Sequence, residues 1–457
     1  MELNHLLLLL VVTLCFFFYL ICTKKTSKRA LPPEISGGWP IIGHLFYFDN
    51  DGDDRPSYQA VRDCYTTNDA VFANRPSCLY GEYLGYNNAM LFLSNYGPYW
   101  NNIRKLVIQE VLSNTGLEKM RHADKSIMNL TDWLEELSFG LIVKMIAGKD
   151  YGDGDGDGDG DEEVERFKEA FRKFLTLSME FVLWDAFPIL LFKWMDFQGH
   201  VKLMKRTFKD IDTIFQRWLD EHVKQREMST EVNERDFIDV MLSKMSDEHQ
   251  HEGYSRDTVI KATVFGLVLD AADTVALHIN WGMALLINNQ HVLEKAQVEM
   301  DKQVGRDRWI EKSDIKNLVY LQAIIKEYHM KMQRTVLLAD IMYLKVLDYT
   351  LQRDPKIWSN PDQFDPDRFF NNDIDFRGQR YEFIPFGSGR RSCSGMTYAL
   401  QVEYLTIGHL IQGFDYRTPS GEPLDMKEGP GMTMRKVNPV QSDNDASPRL
   451  ALELYKI

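Results

Sequence analysis

The chain has 457 residues, with 53 Lys and Arg against 67 Asp and Glu, for a net charge of −14. Surfaces that bind phosphate backbones are basic, so this balance argues against nucleic acid as a partner. Five cysteines and no interior Pro-, Ser- or Gly-rich linker argue against a disulfide framework, and suggest one large body in a reducing compartment.

The apolar run 6–22 is at the short limit of what crosses a bilayer as a helix. Glu2 precedes it, and Lys24, Lys25, Lys28 and Arg29 follow at once. Basic flanks stay cytosolic, so residues 1–23 are expected to be a single-pass membrane anchor with the body in the cytosol. A cleaved secretory signal, which carries its cations ahead of the run, is the alternative. Residues 24–43 add Pro32, Pro33, Gly37, Gly38, Pro40 and Gly43, a composition that makes a stiff, turning hinge. Residues 44–457 then form the globular body.

Apolar residues recur at three- and four-residue spacing over 99–112, 163–177, 200–225, 257–288, 290–304 and 313–332, which predicts helices. Strand signals are short and scattered. The expected fold is mainly α, a helical globule with small β-sheets. Within it, residues 152–163 read GDGDGDGDGDEE and carry half of the net charge. An EF-hand calcium loop would need glutamate at its twelfth position, where Val164 stands. A flexible, solvated acidic loop is the expectation.

The segment 386–395 presents Cys393 in a glycine-bracketed, arginine-rich turn that opens an apolar helix. A thiolate that ligates iron needs backbone able to turn toward sulfur, which Gly389 and Gly395 permit. Arg391 supplies a permanent cation for a haem propionate, and Phe386 can shield the sulfur side of the ring. A buried structural cysteine and a phosphate-cradling loop are the bland alternatives. The spacing F-x-x-G-x-R-x-C-x-G, matched at Phe386, Gly389, Arg391, Cys393 and Gly395, resembles that of the cytochrome P450 monooxygenases.

The resemblance implies a fold, a haem cofactor with Cys393 as the iron ligand, and electrons from an NADPH-dependent reductase. It also implies dioxygen and a small apolar substrate as the other partners, and an endoplasmic reticulum membrane location. Ala271-Ala272-Asp273-Thr274-Val275 resembles the oxygen-activation motif, with Asp273 and Thr274 delivering protons and Ala271 where glycine is usual. Trp100 and Arg104, one helical turn apart, match a pair that bonds a propionate. Glu327 and Pro366-Asp367-Arg368-Phe369 match the family's structural brace, in which a glutamate is locked by two arginines.

Met330 replaces the first of those arginines. The stretch 330–351 is also shorter than the family's, as are 43–60 and 121–133. Glu327 is then left with Arg368, or with Lys331. Two readings follow: a membrane-anchored, plant-type monooxygenase of terpenoid, flavonoid or alkaloid metabolites, or a catalytically impaired haem-binding relic of the same family.

Overall fold

A computed structural model describes most of residues 58–112, 130–149, 159–186, 196–228, 236–246, 252–332, 351–370 and 373–416, and parts of 418–449. The chain divides into residues 1–54 and residues 55–457. The expected anchor, the hinge and the segment 333–350 lie outside the described residues.

Short helices over 58–83 lead into α1 (Pro98–Glu110), followed by α2 (Leu130–Ala147), α3 (Asp159–Met179), α4 (His200–Met228), α5 (Phe237–Lys244) and α6 (Arg256–Asn288). Then come α7 (Gln290–Gln303), α8 (Val319–Lys331) and α9 (Met396–Gly413). Among the described residues the strands are β1 (Phe414–Asp415) and β2 (Ser447–Pro448), paired antiparallel with Phe414 opposite Pro448. The body is mainly helical, as expected.

α6 is the axis of the molecule. Ser255 caps its first turn by accepting from the Thr258 amide at 3.2 Å, and the donors left over at a helix start are thereby partly satisfied. Its middle is apolar all round, so it is buried between α2 and α9 rather than lying on the surface. It is also the one described helix long and apolar enough to cross a membrane, but it is mostly buried inside the protein. Phe174 of α3, Phe215 of α4 and Phe265 of α6 pack edge-on or tilted at 5.0 to 5.4 Å, which ties the three helices into one core.

Three differences from the sequence expectations have local causes. The helix expected over 313–332 is broken at Leu318, whose φ of −93° and ψ of 71° are not helical, leaving a 3-10 turn at Ile315–Asn317 before α8. α3 begins at Asp159, so the last residues of the acidic tract are helical rather than looped. Acids in a first helical turn meet the positive end of its dipole. α2 was not anticipated because its buried half is apolar on most sides and lacks the periodic polar face that marks a surface helix.

Candidate active site

The cysteine turn is built by local hydrogen bonds. Gly389–Arg391 makes a 3-10 turn, and the Cys393 amide then donates back to the Phe386 carbonyl at 2.8 Å, folding the segment over itself. Gly389 has φ of +66°, a left-handed conformation that side chains strain. A Cβ there would also meet the Asp69 carboxylate at 2.8 Å. Gly395 has φ of −87°, which any residue adopts, and a Cβ there would make ordinary contact with Cys393 Sγ at 3.7 Å. Asp69 anchors the turn from the other side, accepting from the Arg390 amide at 3.2 Å and from its guanidinium at 2.8 Å. Cys393 is exposed, and Cys64, Cys78 and Cys393 all carry thiols rather than disulfides.

Around this turn the fold brings Arg75 and Arg104 from two distant segments toward Arg391 of the turn itself. Trp100 lies between two of them, with the Arg104 guanidinium 5.0 Å and that of Arg391 4.6 Å from its ring. Trp100 Nε1 itself donates to the Leu91 carbonyl at 3.0 Å. Arg104 donates to the Ser392 carbonyl at 2.6 Å, one residue from the cysteine. Arg391 donates to the carbonyls of Ala73 at 2.7 Å and Ser94 at 2.6 Å. Burial, then the charges of Arg75 and Arg104, push Arg391 down to about 9. Arg104 is lowered by burial, with Cys393 pulling the other way. Like charges held this close favour an anionic neighbour, and the dicarboxylate edge of a haem fits that requirement beside a cysteine thiolate.

The other wall is α6. The Thr274 hydroxyl donates to the Asp270 carbonyl one turn back. Asp273 instead pairs with Arg435, which also holds Glu135 at 2.8 Å. The second Asp273 oxygen is buried without a hydrogen-bond partner, beside a cavity of about 120 Å³ lined also by Thr131, Asn280 and Lys436. Asp270 points elsewhere. Burial raises its carboxyl to about 7, and Arg75 offsets this only in part.

A chain of hydrogen bonds and ring contacts joins α6 to the cysteine turn. His278 Nδ1 bonds the Thr274 carbonyl at 2.8 Å, and its ring stacks on His329 at 5.0 Å. His329 Nε2 bonds the fully buried Glu403 at 2.7 Å, and its ring meets Phe386 at 5.1 Å. Burial alone would raise Glu403, but His329 and His278 hold it below the usual carboxylate range.

The brace is assembled from what the sequence provides. Glu327, wholly buried, accepts from Arg368 Nε at 2.8 Å and from the Asp365 amide at 3.0 Å, with Lys331 Nζ at 3.6 Å. Met330 is buried among apolar side chains. Burial raises Glu327 to about 7 against the pull of Arg368, and lowers Lys331 to about 8 against the pull of Glu327. A second arginine fork is thus replaced by a lysine at longer range.

Sequence reasoning did not single out Arg75, Asp69, His329, Glu403 or Asp270. None of these belongs to a spaced motif. The only available hint was that Asp270 and Thr274, four apart, share a helix face.

Residues 56–335 and 343–441 match the family described as Cytochrome P450. A nicotine N-demethylase of Nicotiana tomentosiformis is 60% identical over 510 residues, covering 95% of this chain and 96% of that one. A flavonoid-6-hydroxylase of Ocimum basilicum is 35% identical over 508 residues, covering 94% and 93%. Both alignments are longer than the 457-residue chain, so this protein is shortened within the match. In fold, a zebra fish cytochrome P450 solved with progesterone superposes with a TM-score of 0.65 at 20% identity, covering 84% of this chain and 91% of that one.

Proposed function

The chain belongs to the cytochrome P450 family, and on that premise we propose that Cys393 ligates haem iron in a membrane-anchored monooxygenase acting on an apolar plant metabolite. Haem is the family's cofactor, and NADPH supplies its electrons through a reductase. The observation that carries the reading is the exposed Cys393 in a turn beside Arg104 and Arg391, whose guanidiniums flank the Trp100 ring. The similarity to nicotine N-demethylases narrows the terpenoid, flavonoid or alkaloid range toward an alkaloid amine.

When bound through a thiolate, haem supplies the cleavage of dioxygen. One oxygen atom enters a C–H bond of the substrate and the other leaves as water, consuming two electrons and two protons. Arg104 and Arg391, stacked on Trp100, are the groups that would hold the propionates. Phe386 keeps water from the sulfur side. Thr274 can turn its hydroxyl from the Asp270 carbonyl, and Asp273 can carry protons inward once Arg435 releases it. Residues 6–22 would anchor the body at the endoplasmic reticulum, facing the cytosol.

The test is the carbon monoxide difference spectrum of the reduced full chain. A thiolate-type band that Cys393→Ser abolishes, and Cys64→Ser and Cys78→Ser retain, is expected; retention after Cys393→Ser refutes the assignment. A second reading, the impaired relic, is favoured by Met330 in the brace and by the break in the family match at residues 336–342. A thiolate spectrum without substrate turnover would support it.

A further inference from the structure

We propose that Glu135 is a positioning residue for Asp273: by holding one arm of Arg435, it keeps the second carboxylate oxygen of Asp273 open to water in the cavity between α2 and α6. This rests on the monooxygenase reading and goes beyond it in naming where a proton enters and which residue keeps that entrance open. Three distant segments build the cavity. Thr131 and Glu135, four apart, share a face of α2. Asp273 and Asn280, seven apart, share a face of α6. Arg435 and Glu135 keep 42% and 40% of their side-chain surface, against 5% for Asp273, so the first two stand at the mouth and the acid stands inside.

The lining selects water as the occupant. Asp273 Oδ2 and Asn280 Oδ1 are buried and, among the described residues, have no hydrogen-bond partner. The Asn280 amide nitrogen, by contrast, donates to Thr131 Oγ1 at 3.0 Å. An apolar occupant would strip both oxygens of their hydration, and a metal ion would meet the charges of Arg435 and Lys436. Water supplies donors without charge. The cavity of about 120 Å³ exceeds the roughly 10–15 Å³ that one water needs. Seven residues of helix rise by about 10 Å, so a file of waters rather than one molecule serves both oxygens.

Arg435 Nη1 donates to Glu135 at 2.8 Å, and Nη2 donates to Asp273 Oδ1. A guanidinium that faces one carboxylate alone closes on both of its oxygens. Sharing Arg435 prevents that closure and leaves Oδ2 to water. A proton passed by water to Oδ2 neutralises the carboxylate and loosens the grip of Arg435 on Oδ1, which is the release that inward transfer requires. Dioxygen that takes up two electrons and two protons leaves as hydrogen peroxide unless both protons reach one oxygen atom, which then departs as water. The other atom enters substrate or, with two more electrons and two more protons, becomes a second water.

The experiment compares crystal structures of the full-length chain in detergent, as wild type and as Glu135→Ala. Wild type should show water on Asp273 Oδ2, and the variant should show Arg435 on both oxygens with that water gone. In the full-length holoenzyme supplied with an NADPH-dependent reductase and no added substrate, the share of electrons recovered as hydrogen peroxide should rise about twofold or more in Glu135→Ala. Glu136→Ala, which removes the same charge from an exposed position of α2, should leave that share unchanged. In an Arg435→Lys background no fork can close on Asp273, so Glu135→Ala should add nothing there, whereas a purely structural role would act in both backgrounds. Wild type without water on Oδ2, an Arg435 contact that stays single in Glu135→Ala, or a peroxide share that is unchanged or rises equally in both backgrounds overturns the proposal. A missing thiolate band in wild type would sink the monooxygenase reading, while the two crystal structures still judge Glu135.

Discussion

Replacing Glu327 by alanine tests the reorganised brace. Glu327 has no exposed surface, and Arg368 and Lys331 keep only 6% and 9% of theirs. Removing the carboxylate leaves two enclosed cations facing each other. Breaking a buried ionic group costs about 3–5 kcal/mol, a large part of a typical ~5–15 kcal/mol stability. Urea unfolding of the full chain, followed by the fluorescence of its nine tryptophans, measures the loss. The pH dependence gives a second signature. Glu327 is raised to about 7 in the folded state, so its contribution is complete below its unfolded value and is lost as pH rises through 7. Between about pH 5 and 7 the wild type should therefore lose on the order of 2 kcal/mol that Glu327→Ala does not lose. Lys331, lowered to about 8, stays charged across that window and adds no slope. A loss below about 1 kcal/mol at pH 7 would refute the brace, whereas parallel pH curves would show that pairing with Arg368 outweighs burial in setting the ionisation of Glu327.

Met330→Arg alone should lower the melting temperature, because three cations would crowd one carboxylate, whereas Met330→Arg with Lys331→Leu should raise both melting temperature and haem content; unchanged values for the pair would mean that position 330 does not address Glu327. Gly389→Ala should cost about 1–2 kcal/mol from its positive φ and lower haem content further through its contact with Asp69, as read by unfolding and the carbon monoxide band. His222 bonds the Trp218 carbonyl at 2.6 Å and Asp236 at 2.8 Å; these partners and the nearby Asp239 raise its pKa although burial opposes them. Its stabilisation is complete below about 6.5 and lost as pH rises through the raised value, so the melting difference between wild type and His222→Asn should shrink from pH 6 to 8. A constant difference would show that the ring is neutral throughout.

The sequence determined the cysteine turn, because every residue that shapes it lies within ten positions and acts through backbone conformation and nearest-neighbour bonds. It also determined the long helices, whose periodicity is local, and showed directly that no arginine stands at position 330. α2 escaped for the converse reason, since its apolar residues are spread around the helix and no polar face marks its period. Tertiary structure alone decided the partners. Arg435 captures Asp273 from 162 residues away, and Arg104 reaches Ser392 across 288. Asp270 and Asp273 are equally acidic in sequence, and only the folded chain shows that Asp273 is buried against Arg435 while Asp270 is exposed. Charge is a property of the residue, but its pairing depends on what the whole chain brings within a few ångströms, and no local pattern carries that distance.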